Sequence, residues 1–442
     1  VPSKKNFKTL FEKDYDWGCE FIRLLSKENE ISVDTWNRVL FAFGEAPKTE
    51  HNWKRLLELL EELPHEMHIY SGIAYIILHS IWKKESKLFD EDFDRAALLM
   101  KEAWELSRRS SETISSVNRD WFITAINHVG GWIGEFWVHY CSHFYNCNPK
   151  SWSGIPSYIQ DMLLQAVSGK SSTEVNARIS LTRWITYWYH WDPTFFKDTF
   201  LPMLDWSRDQ IVAQQTWSVF LNHSREPSRD LEEILEEILI PYYRQFADHA
   251  EKFDDQALQR FGYKIAAITM IGETNPIESN FINEILPNML EASRVGFAIW
   301  IKDFLKKSNE DKGKLWNLWL REYVDLRLMG MPIPLSPEEG NHMLHWCLYL
   351  TPVFPEAVER LIKVPAQKID AYSILKDLDS SPIAEGEPLC ACKLANAGLE
   401  AEDYLHLYKE LTELHRKWKP TIGKTESFEK FEELMFQRGW RG

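Results

Sequence analysis

The residues with the best spacing for chemistry lie in EFWVHYCSHFYNCN, residues 135–148. His139 and His143 are four apart, so on a helix they share a face, and so do His143 and Cys147. Paired histidines at this spacing can hold zinc. A zinc-protease helix carries glutamate directly after its first histidine, and Tyr140 stands there. The three candidate ligands extend along about 12 Å of helix, too far for one ion. Cys141 falls on another face. The stretch therefore reads as an aromatic-rich core helix with satisfied histidines. FDEDFDR, residues 89–95, offers Asp90, Asp92 and Asp94 in the manner of a calcium loop. Such a loop needs glycine at its sixth position and glutamate at its twelfth, and Arg95 and Lys101 occupy those places. Acidic residues at a helix start suit the helix dipole, and that reading is preferred.

Two further groups fare no better as catalytic candidates. Glu338 and Glu339 could form an acid/base pair, but adjacent helical residues point about 100° apart and do not face each other. WITYWYHWD, from Trp184 to Asp192, could stack a ligand, but aromatic residues at helical spacing belong in a core. No phosphate-cradling glycine loop, nucleophile elbow or dinucleotide fingerprint occurs. The expectation is a chain with no catalytic residue, no metal site and no cofactor.

Composition narrows the class. In 442 residues, 44% are hydrophobic, which a folded core requires. Twenty tryptophans need large packing partners and acceptors for their N–H groups. The net charge of −15 argues against nucleic acid, whose phosphates demand a basic face. The longest apolar run, about 69–82, is shorter than the ~20 residues that span a bilayer. The six cysteines, Cys19, Cys141, Cys147, Cys347, Cys390 and Cys392, show neither a disulfide framework nor a Cys-x-x-Cys pair, which suits a reducing cytoplasm. The chain opens on Val1 without a signal-like run and is read as a piece of a longer protein or a processed product.

Helical periodicity must position everything. In LEEILEEIL, Leu231, Ile234, Leu235, Ile238 and Leu239 share a face opposite the glutamates. WKRLLELLEEL repeats the pattern with Trp53, Leu56, Leu57, Leu60 and Leu63. Helices of ten to eighteen residues are separated by short breaks such as Pro64, Asn148-Pro149 and Asp192-Pro193. Short breaks make antiparallel pairs, and about 40 residues per pair gives roughly ten pairs. The predicted fold is all-α, a HEAT-like α-solenoid. It forms one continuous array, with soft divisions into N-terminal (1–120), central (121–300) and C-terminal (301–442) repeats. Ser168 to Thr173 and Ser380 to Pro388 read as loops within it.

One joint can be parsed closely. Leu315, Leu318, Trp319, Tyr323 and Leu326 form a helix stripe that Gly330 ends in the left-handed conformation. Met331-Pro332-Ile333-Pro334 is extended, because a residue before proline leaves the α region. Ser336 caps the next helix, Pro337 takes its first position and Glu339 reaches back to close a capping box. Met343, Trp346, Cys347 and Leu350 form that helix's stripe.

This joint also carries a resemblance. WLREYVDLRLMGMPIPLSPEEGNHMLHWCLYLTPVFPEAVERLIKVP, residues 319–365, resembles the signature of a helical family. That family lies at the C-terminal end of bacterial proteins that begin with a sirtuin-like NAD-hydrolysing domain. Its pattern falls on Trp319, Tyr323, Arg327, Gly330, Pro332, Leu335, Glu339, Met343 and Trp346. AINHVGGWIGEFW, residues 125–137, and residues 192–221 are similar to the same proteins. The family tends to read Asn-His-Pro where this chain has Asn127-His128-Val129.

The resemblance implies a part in bacterial antiviral defence. A sirtuin-like domain in such proteins destroys NAD on infection, and the helical part senses an invader's protein, restrains the enzyme or assembles it. The sirtuin-like glycine motif and catalytic histidine are not in this sequence, and the family supplies no catalytic residue to place on it. The expected function is a non-catalytic sensor and regulatory module in the bacterial cytoplasm. Its implied partners are the attached NADase domain, a phage protein and further copies of the parent, with neither nucleic acid nor membrane. The alternatives are an oligomerisation scaffold without sensing and, third, a metal-dependent enzyme built on His139 and His143.

Overall fold

A computed structural model describes residues 4–28, 31–45, 50–64, 66–82, 90–110, 121–224, 229–271, 275–365, 371–401 and 408–440. Of these, the side chains of 50–52, 67–68, 110, 229–237, 271, 401 and 408 are outside the description. The protein is all-α, and no strand occurs among the described residues. The chain divides into two units, Val1–Pro227 and Ser228–Gly442. The first holds α1 (Lys4–Lys13), α2 (Tyr15–Leu25), α3 (Val33–Glu45), α4 (Glu50–Glu61), α5 (Met67–Trp82), α6 (Asp90–Ser110), α7 (Trp121–Ile126), α8 (Val129–Cys147), α9 (Ser157–Ser168), α10 (Ser172–Thr182), α11 (Ile185–Trp191), α12 (Pro193–Phe195) and α13 (Gln210–His223). The second holds α14 (Arg229–Ala247), α15 (Asp255–Ile271), α16 (Phe281–Ile285), α17 (Glu291–Lys307), α18 (Lys312–Leu315), α19 (Arg321–Leu328), α20 (Pro337–Leu344), α21 (Phe354–Leu361), α22 (Ala371–Ser380), α23 (Ile383–Gly386), α24 (Pro388–Ala401), α25 (Tyr408–Ile422) and α26 (Glu426–Gln437).

In the first unit several helices pack on the next but one, and α5 also packs on α6. The series α1, α3, α5 and α8 makes one set of neighbours, and α2, α4, α6 and α8 makes another. Stacked antiparallel pairs give this order, so the packing is compatible with a solenoid. The apolar stripe of α4 is buried through Trp53, Leu56, Leu57, Leu60 and Leu63, as its periodicity predicts. Ion pairs cross the stack at sequence separations of 34 to 39 residues: Arg55–Asp16, Arg23–Glu62 and Arg95–Glu61. These exposed pairs are screened by solvent and contribute little, so the buried stripes supply most of the stability.

The AINHVGGWIGEFW stretch brings α8 close to α10 at Gly130 and to the end of α7 at Gly131. A Cβ on Gly130 would stand 2.1 Å from the Thr173 carbonyl oxygen, and one on Gly131 would stand 1.8 Å from that of Ala125. His128 caps α8, its Nδ1 accepting from the Gly130 N–H at 3.0 Å. The chain between α9 and α10 is short and ends in a full capping box of Ser171 and Glu174.

In the second unit α15 and α17 cross backbone to backbone, and α22, α24 and α26 pack in succession. The spacing of ion pairs recurs there: 35 residues for Arg360–Asp325 and 38 for Lys417–Asp379. In the LEEILEEIL run, Leu239 is buried and Ile238 half-buried, while Leu231, Ile234 and Leu235 lie outside the described side chains. The stretch from Ser380 to Pro388, expected as a loop, contains the short helix α23. No described helix is long and apolar enough to cross a membrane.

Candidate functional site

The joint between α19 and α20 gathers the motif residues. It is entered through a π-helical turn, Trp316–Leu320, which adds a residue to the period. The predicted stripe is corrected by that turn. Leu318 is 43% exposed, while Trp316, Trp319, Leu320, Tyr323, Val324 and Arg327 are buried. Gly330 has φ 76°, the left-handed conformation expected of it, and the Met331–Pro332 peptide is cis. Ser336 then caps α20, its Oγ accepting from the Glu339 N–H at 3.3 Å, and Pro337 takes the first helical position.

Glu339 does only half of what its spacing predicts. Its carboxylate does not turn back to the cap. It accepts from Arg327 Nη2 on both oxygens at 2.9 Å and from Arg327 Nε at 3.2 Å. Arg294 Nε donates to the same carboxylate at 3.3 Å. A fully buried carboxylate requires a charged partner, and here that requirement outweighs one more backbone hydrogen bond. The other Arg327 nitrogen, Nη1, donates to the carbonyls of Met331 and Ile333. Arg327 thus makes five hydrogen bonds, two of them to the bend that carries Met331 and Ile333.

The remaining motif residues pack around this pair. Tyr323 lies between Trp319 and Trp346, with ring centroids 5.9 and 6.3 Å away, and burial pushes its hydroxyl pKa up. Trp346 Nε1 donates to the Ala298 carbonyl of α17 at 3.0 Å. Met343 is buried, and Pro332 and Leu335 are half-buried. His342, one turn into α20, is pushed down to about 4 by burial, with Lys302 and His345 adding to the effect. What the joint can do chemically is hold three segments together.

The other singled-out residues are placed as follows. His139 Nε2 accepts from Trp82 Nε1 at 2.9 Å, which satisfies it as expected. His143 Nε2 lies 2.8 Å from Asp90 Oδ1 and has Cys147 Sγ 3.8 Å away. The FDEDFDR carboxylates do not converge as a loop: Asp94 accepts from the Tyr140 hydroxyl at 2.8 Å, while Asp90 reaches His143. Sequence reasoning kept Asp90 and His143 in separate motifs, because only the crossing of α6 and α8 joins them. A signal was present in the four-residue spacings of Asp90/Asp94 and His143/Cys147, which put each pair on one face. Cys141 is buried, which pushes its thiol pKa up. Trp188 and Trp191 are core residues, and Trp188 stacks on Phe200 at 4.8 Å. Trp184 instead donates to the buried Glu135 carboxylate at 3.0 Å.

No protein-family model, no curated protein and no solved structure matches the chain.

Proposed function

We propose that this chain is the non-catalytic sensor and regulatory module of a bacterial anti-phage defence protein. In this reading it controls an attached sirtuin-like NAD-hydrolysing enzyme by recognising an invader's protein. The observation that supports it most is the joint. Arg327, Glu339, Tyr323, Trp346 and Gly330, matched to the family signature as a string of residues, act together as one locked unit. The recurring 34-to-39-residue spacing of ion pairs in the first unit suits a repeat array, which offers an extended binding surface. A charge of −15 favours a partner with basic patches. Recognition works by population shift, with the partner binding one arrangement of the parent better than the other.

The test follows cellular NAD after phage challenge in cells that carry the complete parent protein, with this region intact or deleted. NAD that falls only when the region is present supports sensing. NAD that falls without phage on deletion supports restraint, the other form of regulation. An identical, phage-dependent fall with and without the region removes the proposal.

A further inference from the structure

Asp90 begins α6, and His143 and Cys147 lie one turn apart at the end of α8. One donor atom from each lies within 4.8 Å of the others. The set is a carboxylate, an imidazole and a thiol, drawn from two helices. Zinc binds nitrogen at about 2.0 Å and sulfur at about 2.3 Å, so a tetrahedral ion sets the two about 3.6 Å apart. The observed Nε2–Sγ distance is 3.8 Å, but Sγ also lies 3.9 Å from Nδ1, so the exposed Cys147 side chain must swing toward the Nε2 side of the ring to share an ion with it. The same geometry sets nitrogen and carboxylate oxygen about 3.3 Å apart. The observed 2.8 Å therefore requires Asp90, which is exposed, to withdraw by a fraction of an ångström.

The imidazole is already held in place. Phe93 stacks on it at 4.3 Å and 22°, and Phe144 meets it edge-on at 5.1 Å. Two described neighbours are otherwise engaged. Asp94, one turn further along α6, is engaged by Tyr140, and His139 Nε2 is engaged by Trp82.

We infer that Asp90, His143 and Cys147 form a binding site for a thiophilic divalent cation of the zinc class. Three protein ligands hold the ion and the fourth position faces solvent. Binding replaces the Asp90–His143 hydrogen bond with two bonds to the metal; the neutral imidazole moves its proton from Nε2 to Nδ1 by exchange with solvent, and the Cys147 thiol gives its proton to solvent. The ion then clamps the start of α6 to the end of α8. This site does not depend on the proposed defence role and stands or falls separately from it.

The full chain, freed of metal, is titrated with cobalt(II) as a spectroscopic probe and then with zinc. The expected result is one equivalent of cobalt with a thiolate-to-cobalt absorption band and the visible bands of a four-coordinate ion, all displaced by zinc. Cys147→Ser removes the thiolate band, and Cys390→Ser keeps it. His143→Ala and Asp90→Asn each weaken binding at least roughly tenfold, the scale of losing even an outer-shell partner. Circular dichroism confirms that each variant is folded, and the exposed positions 90 and 147 tolerate the change. The inference is overturned if the native chain takes up no stoichiometric cobalt, if the thiolate band survives Cys147→Ser, or if Asp90→Asn binds as tightly as the native chain.

Discussion

Arg327 brings its guanidinium into a fully buried place, and the joint meets it with five hydrogen bonds. That completeness determines how costly a single change is. Replacing Arg327 by Met leaves the buried Glu339 carboxylate with only Arg294, whose N–H lies at the longer distance of 3.3 Å. Removing one partner of a buried pair costs about 3–5 kcal/mol, so urea unfolding of Arg327→Met should show a loss of that order. Adding Glu339→Gln removes the stranded charge and should recover part of the loss. Simple additivity of the two single changes would mean that the pair is not coupled. His128 gives a prediction in pH. Its ring caps α8 through an unprotonated Nδ1, and burial lowers its pKa below the ordinary 6.5. A lowered histidine contributes stability that is present above about pH 6.5 and lost as pH falls through the folded value. His128→Asn keeps a capping acceptor and does not titrate. Its melting temperature should fall less between pH 7 and 5 than that of the native chain. Equal slopes would show that the cap is not the titrating element.

At the scale of the helix, Val129 stands where the backbone would accept proline. Val129 is the first residue of α8. Proline is welcome at that position, and His128 before it already has the extended backbone (φ −116°, ψ 144°) that proline demands. Val129→Pro should therefore raise stability by about 0.4–1 kcal/mol through the unfolded chain, less whatever packing the partly lost side chain supplied. Two residues on, the opposite holds. Gly131→Ala would drive a methyl group to 1.8 Å from the Ala125 carbonyl oxygen, and backbone cannot yield as a side chain can. The variant should lose about 1–3 kcal/mol, the cost of overpacking. A thermal melt of the two variants side by side checks both signs at once.

At the scale of the molecule, the two units predict where such losses appear. Hydrogen exchange on Gly131→Ala should quicken among the helices around α8 and α10, within residues 1–227. On Arg327→Met it should quicken around α17, α19 and α20, within residues 228–442. A uniform change over both units from either variant would show that the chain unfolds as one body.

The all-α character, the stripe of α4, the Ser336 cap with Pro337, and the left-handed Gly330 were all determined by the sequence. Each rests on residues within about one turn of one another, where spacing alone dictates what meets what. The tertiary structure decided the rest. Glu339 chose Arg327 over its own cap because burial made a charged partner obligatory, and burial is not a local property. The stripe through Trp316 and Trp319 shifted because a π-turn changed the period. Asp90 met His143 because α6 and α8 cross, a contact 53 residues long in sequence. Side-chain periodicity says which face a residue takes, but only the packing of one helix on another says what that face will touch.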